Sequence, residues 1–263
     1  MKKKGAGSLW KFKTTLLSVS GVIVFVLLWW AESALHVISS LFLPSPITVA
    51  RSLIDLANGP LWSDLGVSLE QLILGFALGA SVGVLGGLLM GRFRTAAQVL
   101  RPFVAGGYTI PLLAVLPLFI VWFGIGMLSK VILIAVGSFF PVIVNTEHGV
   151  ASTPKVIIQA SENLGATEWQ LFWRVLVRNG TPFILTGLRL GFGLGLLLVV
   201  AAEMLGGTSG IGFQVLNAGN LGDTPQVIAL IIVFALLGIL SVVLFEWLQR
   251  FLCPWSERSR AER

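Results

Sequence analysis

Charged residues are scarce in this sequence, and cysteine and histidine are nearly absent. Charged residues make up 11% of the 263 residues and hydrophobic residues 56%, and the mean hydropathy is +0.91. Because a soluble domain carries about 25% charged residues, this composition excludes an ordinary soluble protein and indicates a polytopic membrane protein. The lone cysteine, Cys253, excludes an internal disulfide framework.

The sequence also lacks the motifs of the common catalytic and metal sites. No GxxxxGKS or GxxxxGKT phosphate loop is present, so the chain does not bind ATP by that device. The two histidines, His36 and His148, lie in loops predicted on opposite sides of the membrane and cannot share a metal ion. We therefore predict no catalytic residue, no metal site and no enzyme activity. The net charge of +6 does not indicate a nucleic-acid partner, because the basic residues flank apolar runs.

What the chain has instead is a series of apolar runs. Six of them predict an all-α protein with six transmembrane helices in a single domain, 1–263, since a spanning helix needs about 20 apolar residues. A cleaved signal peptide is the alternative for the first run, but its length and the Trp29–Trp30 pair favour an uncleaved span. The predicted spans cover about 14–31, 65–90, 104–124, 131–144, 182–203 and 226–248.

Glycine and proline mark two of these spans. Five glycines, each four residues apart, form a stripe on one face of the second span, which predicts close packing against a helix of the same subunit. The third span holds Pro111 and Pro117, which predict either a bent helix that lines a cavity or a purely structural kink. The stripe consists of Gly75, Gly79, Gly83, Gly87 and Gly91.

The distribution of basic residues predicts the orientation. The N-terminal lysines, the arginines of 92–101, the 147–180 loop and the C-terminal arginines fall on one side, whereas Arg51 and Lys130 fall on the other. Because basic residues are enriched on the cytoplasmic side, both termini and the 147–180 loop are predicted to be cytoplasmic.

One long polar segment, about 153–178, separates two apolar runs. Its Thr153–Pro154 pair predicts a helix N-cap and first position, and Gly165 predicts a break. Thr167 and Gln170 then form a T-x-x-Q capping box that restarts the helix. Two capped helices between spans suit docking onto a soluble partner. The alternative is a connector that lies on the membrane surface.

Two charged residues of the fifth span are candidates for a role in transport. Arg189 lies seven residues into the predicted span, about 10 Å at the helical rise. It is either a cation that faces the pathway and attracts an anion, or a side chain that snorkels to the interface. Glu203, near the outer end, either shapes an outer gate or simply meets the interface.

The polar segment resembles the cytoplasmic loop motif of the membrane subunits of ATP-binding-cassette importers, in the nitrate/sulfonate/taurine/bicarbonate group. That motif has the form EAAxxxGAxxxxxFxxxxLP, and Ala160, Gly165, Ala166 and Phe172 match it. Five further stretches resemble this group in order over roughly residues 42–215. They are FLPSP, WFGIGMLSK, GSFFPVIVNT, PFILTGLRLGFGL and AAEMLGGTSGIGF.

The departures from the family pattern lie in two places. Gln159, Ser161 and Arg178 replace the acidic residue, the second alanine and the proline of the loop motif. The family segment RPIPPLA stands here as YTIPLLA, with Tyr108 and Thr109 among the changes, so substrate choice is expected to differ from better-known members.

The resemblance implies a type I importer permease fold in the bacterial inner membrane, surrounded by lipid, with two copies of this subunit forming the pathway. Two separate cytoplasmic subunits would bind ATP and Mg, so no cofactor is expected in this chain. An extracytoplasmic binding protein would deliver the substrate to the outer loops. The residues implied at the ATPase contact are Glu162, Asn163, Leu164, Gly165, Ala166 and Thr167.

The substrate implied is a small oxyanion such as an alkanesulfonate, taurine or nitrate. The same resemblance also covers importers of aromatic acids, pyrimidines and flavins, and a secondary transporter or a non-transporting scaffold are hypotheses from other classes. The residues predicted near the pathway are Tyr108, Thr109, Pro111, Phe139, Arg189 and Glu203.

Overall fold

The computed structural model describes residues 4–35 and 38–255, and the regular structure in these ranges is helical. His36, the first two lysines and the last arginines lie outside the described residues. The helices are α1 Lys4–Leu35, α2 Pro46–Ala57, α3 Leu61–Arg92, α4 Arg94–Thr109, α5 Leu112–Phe123, α6 Met127–Ala151, α7 Lys155–Asn163, α8 Glu168–Gln170, α9 Arg178–Gly206, α10 Ile211–Asn220 and α11 Thr224–Leu252, with a π-helical segment, Leu171–Val177, between α8 and α9.

The chain forms two compact units. One contains α1, α2 and Val215–Ile231, and the other contains Leu61–Gln214 with the chain from Ile232 onward. In the first unit α2 begins at Pro46, because the Ser45 side chain accepts a hydrogen bond from the Thr48 N–H and proline suits the first helical position.

Four helices of the described chain are long and apolar enough to cross a membrane. They are α3, α6, α11 and the continuous helix Glu168–Gly206. The α4–α5 pair makes a fifth candidate span, and the apolar part of α1, Ser20–Leu35, is shorter. The six-span count therefore stays a prediction.

The core of the second unit is α6, which packs between α3 and α9. A Cβ on Gly79 would meet the Ala135 carbonyl, and one on Gly87 would lie 2.5 Å from the Thr146 Cβ. The predicted packing of the glycine stripe within the subunit is therefore confirmed. The α9 glycines do the same on the other side of α6, where a Cβ on Gly191 would lie 2.9 Å from the Ser138 carbonyl oxygen.

The third predicted span, 104–124, is not one continuous helix. Helices α4 and α5 meet at an angle of 98°. The break lies at Ile110, whose φ of −68° and ψ of 127° are extended, because the ring of Pro111 disfavours the helical conformation for the residue before it. Pro117, by contrast, lies inside α5 without ending it.

The fourth span extends well beyond the predicted 131–144. Helix α6 has 25 residues, and Asn145, one residue past the predicted end, donates from Nδ2 to the Pro141 carbonyl at 2.7 Å within the helix. The extra turns are buried, because Thr146 and Val150 pack against the last glycines of the α3 stripe.

The fifth span does not begin at Thr181–Pro182. The helix is continuous from Glu168 to Gly206, and Pro182 lies inside it. The helix continues through this region because Leu176 and Gly180 pack against the end of α6: Leu176 contacts Val150, and a Cβ on Gly180 would lie 3.3 Å from the Gly149 carbonyl carbon.

Candidate coupling segment and substrate pathway

A four-residue turn joins α7 to α8, and hydrogen bonds define it at both ends. The Gly165 N–H donates to the Glu162 carbonyl at 2.9 Å and the Ala166 N–H to the Ser161 carbonyl at 3.0 Å. These two bonds, with Gly165 at φ +81°, form a Schellman cap. The predicted break at Gly165 is therefore confirmed.

The predicted capping box restarts the helix. The Gln170 N–H donates to Thr167 Oγ1 at 3.3 Å, and the Thr167 N–H donates to Gln170 Oε1 at 3.0 Å. The predicted cap at Thr153 is wrong: its hydroxyl donates to the Val150 carbonyl at 2.9 Å, at the end of α6, and α7 begins only after Pro154. The turn 164–167 thus has a fixed shape.

The segment that contains this turn, α7 to α8, exposes several large apolar side chains. Leu164 is 88% exposed, Val156 74% and Trp169 70%. Trp169 also makes an edge-to-face contact with Trp173, with ring centroids 5.5 Å apart. Large exposed apolar groups grouped together are typical of a protein–protein or membrane contact.

The opposite side of the same segment is anchored to the spans. Leu171 and Leu176 are buried, and Leu176 forms a cluster with Leu88 of α3 and Val150 of α6. Glu168 also forms an ion pair with Arg92 at the end of α3. A force on the turn would therefore be carried into α3, α6 and α9, which pack together.

The structure brings the six predicted coupling residues together in and beside this turn. Five of them are exposed and one, Ala166, is half-buried. The sequence did not indicate the tryptophans: Trp169 and Trp173 lie four residues apart on the restarted helix, a spacing that puts both on one face.

An apolar cavity of about 320 Å³ lies beside the α4–α5 break. Tyr108 meets Phe140 of α6 edge to face there, with centroids 6.2 Å apart. None of the residues that line it is charged. Its lining residues are Tyr108, Ile110, Leu112, Leu113, Gly137, Phe140, Leu194, Leu197 and Leu198.

One of the six predicted pathway residues, Tyr108, lines this cavity. Pro111 is not a lining residue, although its sequence neighbours Ile110 and Leu112 are. Thr109, next to them, donates from Oγ1 to the Gly106 carbonyl at 2.7 Å.

Phe139 lines a different cavity, of about 550 Å³, that Phe140 shares. Phe140 directly follows Phe139 and, being one helical position on, points about 100° away from it. No pattern in the sequence distinguishes Phe140 as a cavity residue.

Arg189 and Glu203 lie elsewhere. Arg189 Nη1 is 3.3 Å from Glu246 Oε1 of α11, and both side chains are partly exposed. Glu203 is completely buried. Its carboxylate accepts hydrogen bonds from the Ser68 hydroxyl at 2.8 and 3.0 Å and from the Gly212 N–H at 2.8 Å.

Among the described residues, no three or more histidine, cysteine, aspartate or glutamate side chains are grouped as metal ligands. The site consists of an exposed turn fixed to the spans and of a cavity at a break in a span.

Residues 79–257 match the family described as the binding-protein-dependent transport system inner membrane component. The chain belongs to this family. It is a membrane permease subunit of an ABC importer, not an enzyme, and the importers of this family depend on ATPase and binding-protein partners.

Two relatives and one solved structure illustrate the likeness. The taurine transport system permease protein TauC of Escherichia coli (strain K12) is 39% identical, over 91% of this chain and 89% of the relative. The putative aliphatic sulfonates transport permease protein SsuC of Bacillus subtilis (strain 168) is 36% identical, over 88% and 84%. The inward-facing MetNI methionine ABC transporter shares the fold, with a TM-score of 0.58 at 21% identity over 75% of this chain and 95% of that one.

Proposed function

We propose that this importer permease carries a small organic sulfonate, such as taurine or an alkanesulfonate, across the inner membrane. The observation that carries the proposal is the likeness to permeases named for taurine and aliphatic sulfonates over about nine-tenths of the chain. The sulfonate would be recognised first by the binding protein, and this chain would supply the route.

The route runs beside the α4–α5 break, along Tyr108, Thr109 and Pro111. The cavity there has an apolar wall without a charged residue, so it suits the hydrocarbon part of a sulfonate better than its anionic group. The same wall also suits an aromatic acid or a pyrimidine, which makes those solutes the second candidate. A nitrate or bicarbonate ion, with no apolar part, fits it least.

The transporter contains two copies of this chain and two cytoplasmic ATPase subunits, each of which receives the turn 164–167. The support is the surface of the turn: Leu164 and Trp169 are exposed, whereas the residues behind them are fixed to α3 and α6. Docked helices that move with the ATPase subunits would pull on the spans through these contacts.

Both termini and the turn 164–167 lie in the cytoplasm, and the segment that joins α9 to α10 lies on the outer side. In support, the ion pairs Arg92–Glu168 and Arg101–Glu147 hold basic residues at one end of the second unit, as expected of a cytoplasmic end. Lys130, near the other end, is buried rather than presented to solvent.

Uptake of labelled solutes tests the substrate. The permease is expressed with its ATPase and binding protein in bacteria that lack their own sulfonate importers, and uptake of taurine, hexanesulfonate, nitrate, benzoate and a pyrimidine is measured. We expect saturable uptake of a sulfonate that competes with other sulfonates but not with nitrate. A strain with a Walker-A lysine variant of the ATPase serves as the control.

Two other outcomes would each contradict one part of the proposal. Uptake of benzoate or the pyrimidine, without the sulfonates, would overturn the substrate and keep the importer. Uptake that persists in the ATPase variant would indicate a secondary transporter and overturn ATP-driven import.

A further inference from the structure

At the start of α10, Gly210 and the first two residues of the helix have N–H groups that are held by side chains of other helices. The first N–H groups of a helix have no partner within it, and they are usually satisfied by a residue just before it. Here the acceptors come from α3 and α9. The bonds run from Gly210 N to Asp64 Oδ1 (2.8 Å), from Ile211 N to Ser68 Oγ (2.9 Å) and from Gly212 N to Glu203 Oε2 (2.8 Å).

We call these three acceptor side chains, Asp64, Ser68 and Glu203, the Glu203 cluster. Its members depend on one another. The Ser68 hydroxyl donates to the Glu203 carboxylate and accepts from the Ile211 N–H, so it joins α3, α9 and α10 at one atom. Asp64 uses its second oxygen to accept from Gln214 Nε2 at 2.9 Å.

The Glu203 cluster is buried, so its polar groups need hydrogen-bond partners. Glu203 is 0% exposed, Ser68 2% and Asp64 7%. A buried carboxylate is costly unless hydrogen bonds and a nearby positive charge compensate it. The positive end of the α10 dipole faces Glu203, and Lys130, 5% exposed, is a buried basic residue of the same unit. Loss of one partner leaves the others buried without bonds.

The backbone of the segment 205–214 fits closely around the cluster. Gly210 has a φ of +103°, and a Cβ there would collide with the Glu203 carboxylate. A Cβ on Gly212 would lie 2.6 Å from the Val200 carbonyl oxygen. Two glycines are therefore required for the chain to approach α9 this closely.

The other side of the same segment is open. Leu205 is 65% exposed and Thr208 is exposed as well. The Ser68–Glu203 bonds join α3 to α9, and the remaining bonds of the cluster lead to this segment, so the cluster fixes a surface as well as the packing of two spans. Polar groups that are fully satisfied in a buried site favour one arrangement over its competitors.

We propose that the Glu203 cluster is the positioning element that holds segment 205–214 in the form on which the substrate-binding protein docks. The proposal rests on the outward orientation of this segment in the proposed function. Glu203 then supports the docking segment through its hydrogen bonds and does not line the substrate pathway.

The test is the ATPase activity of the complete transporter in nanodiscs, titrated with its binding protein loaded with taurine. The variant is Ser68→Ala, which removes the atom shared by the three helices with the smallest change in volume. The matched control is Ser138→Ala: Ser138 is also fully buried, and its hydroxyl joins α6 to the Gly191 carbonyl of α9 at 3.1 Å, away from the segment.

We expect Ser68→Ala to raise the concentration of binding protein that gives half-maximal stimulation at least fivefold, with basal and maximal ATPase rates within twofold of wild type. Ser138→Ala should leave that concentration unchanged. Thr208→Arg, which alters the exposed side of the segment without touching the cluster, should act in the same direction as Ser68→Ala.

Equal half-maximal concentrations for Ser68→Ala and wild type would overturn the inference while leaving the proposed function intact. Equal losses of all rates in the two serine variants would overturn it too, since they would show a role in folding only. A wild-type transporter that no loaded binding protein stimulates would overturn both this inference and the proposed function.

Discussion

At the scale of single residues, the glycines of α3 set how close two helices come. Gly79 has no room for a side chain, because its Cβ would meet the Ala135 carbonyl, whereas a Cβ on Gly66 of the same helix would meet nothing within 4 Å. We expect Gly79→Ala to cost about 1–3 kcal/mol through overpacking. Gly66→Ala should be neutral or stabilise by up to about 1 kcal/mol, since alanine is the better helix former.

Thermal unfolding of the purified variants, followed by size-exclusion chromatography after heating, measures this difference. A Gly79→Ala protein as stable as Gly66→Ala would mean that α3 and α6 are farther apart than the structure shows.

Arg189 is either a cation on the substrate pathway or a side chain outside it, and its ion pair allows the two to be tested. Its Nη1 lies 3.3 Å from Glu246 Oε1. Because the Glu246 carboxylate offsets part of the positive charge, Arg189 attracts a substrate anion less strongly than an unpaired arginine would. We expect the exchange Arg189→Glu with Glu246→Arg to import the sulfonate with a KM within twofold of wild type. The single variant Arg189→Glu should lose stability through like-charge repulsion.

The measurement is uptake kinetics for the single and double variants. A tenfold higher KM in the exchanged protein, with the pair re-formed, would place Arg189 on the substrate route after all.

At the scale of elements, the sequence predicts best where a local signal decides the structure. The break at Gly165 and the Thr167–Gln170 capping box both depend on hydrogen bonds between near neighbours, and both are confirmed. The prediction from the glycine stripe is also confirmed, because glycines four residues apart lie on one face of a helix and let a neighbouring helix approach closely.

The sequence predicts worst where packing overrides the local signal. Pro182 is a usual sign of a helix start, yet the helix runs through it because Gly149 and Gly180 let α6 and α9 approach. The Glu203 cluster was missed for a related reason. Asp64 and Ser68 stand more than 130 residues before their partners, and nothing in a local pattern pairs them.

The turn of the coupling segment gives the first prediction at this scale. Leu164 is 88% exposed at the tip of the turn, and a central apolar residue of an interface often accounts for 2 kcal/mol or more, about thirtyfold in affinity. We therefore expect Leu164→Asp to lower the affinity for the ATPase subunit at least tenfold. Leu221→Asp is the control, since Leu221 is 76% exposed in the turn before α11, on the side assigned to the outside.

Co-purification of the ATPase subunit with each tagged permease, and its dissociation constant in detergent, provide the measurement. Full retention of the ATPase by Leu164→Asp would remove this turn from the interface.

Gly165 tests the shape of the turn separately from its surface. A Cβ there would meet nothing within 4 Å, so only its φ of +81° resists substitution, at about 1–2 kcal/mol for most residues. We expect Gly165→Leu to reduce substrate transported per ATP hydrolysed. Gly165→Asn should stay near wild type, because asparagine tolerates this conformation.

Transport and ATP hydrolysis are measured together in proteoliposomes. Normal coupling in Gly165→Leu would contradict the role of the turn, and equal defects in both variants would show that the side chain rather than the backbone matters.

At the scale of the whole molecule, charge and geometry point to the same orientation. The second unit has ion-paired arginines at the end that carries the coupling segment. At the opposite end three ionisable groups, Asp64, Lys130 and Glu203, are buried. This asymmetry suits the proposed orientation, in which the first end meets the ATPase subunits and the second meets the binding protein.

Reporter fusions check the orientation. We expect green fluorescent protein after Arg263 to fluoresce and alkaline phosphatase at the same position to be inactive, because basic residues such as the C-terminal arginines favour the cytoplasmic side. Phosphatase fused after Leu221 should be active. If the phosphatase were instead active after Arg263 and inactive after Leu221, the turn 164–167 would face outward, where no ATPase can reach it, and the coupling assignment would fail together with the orientation.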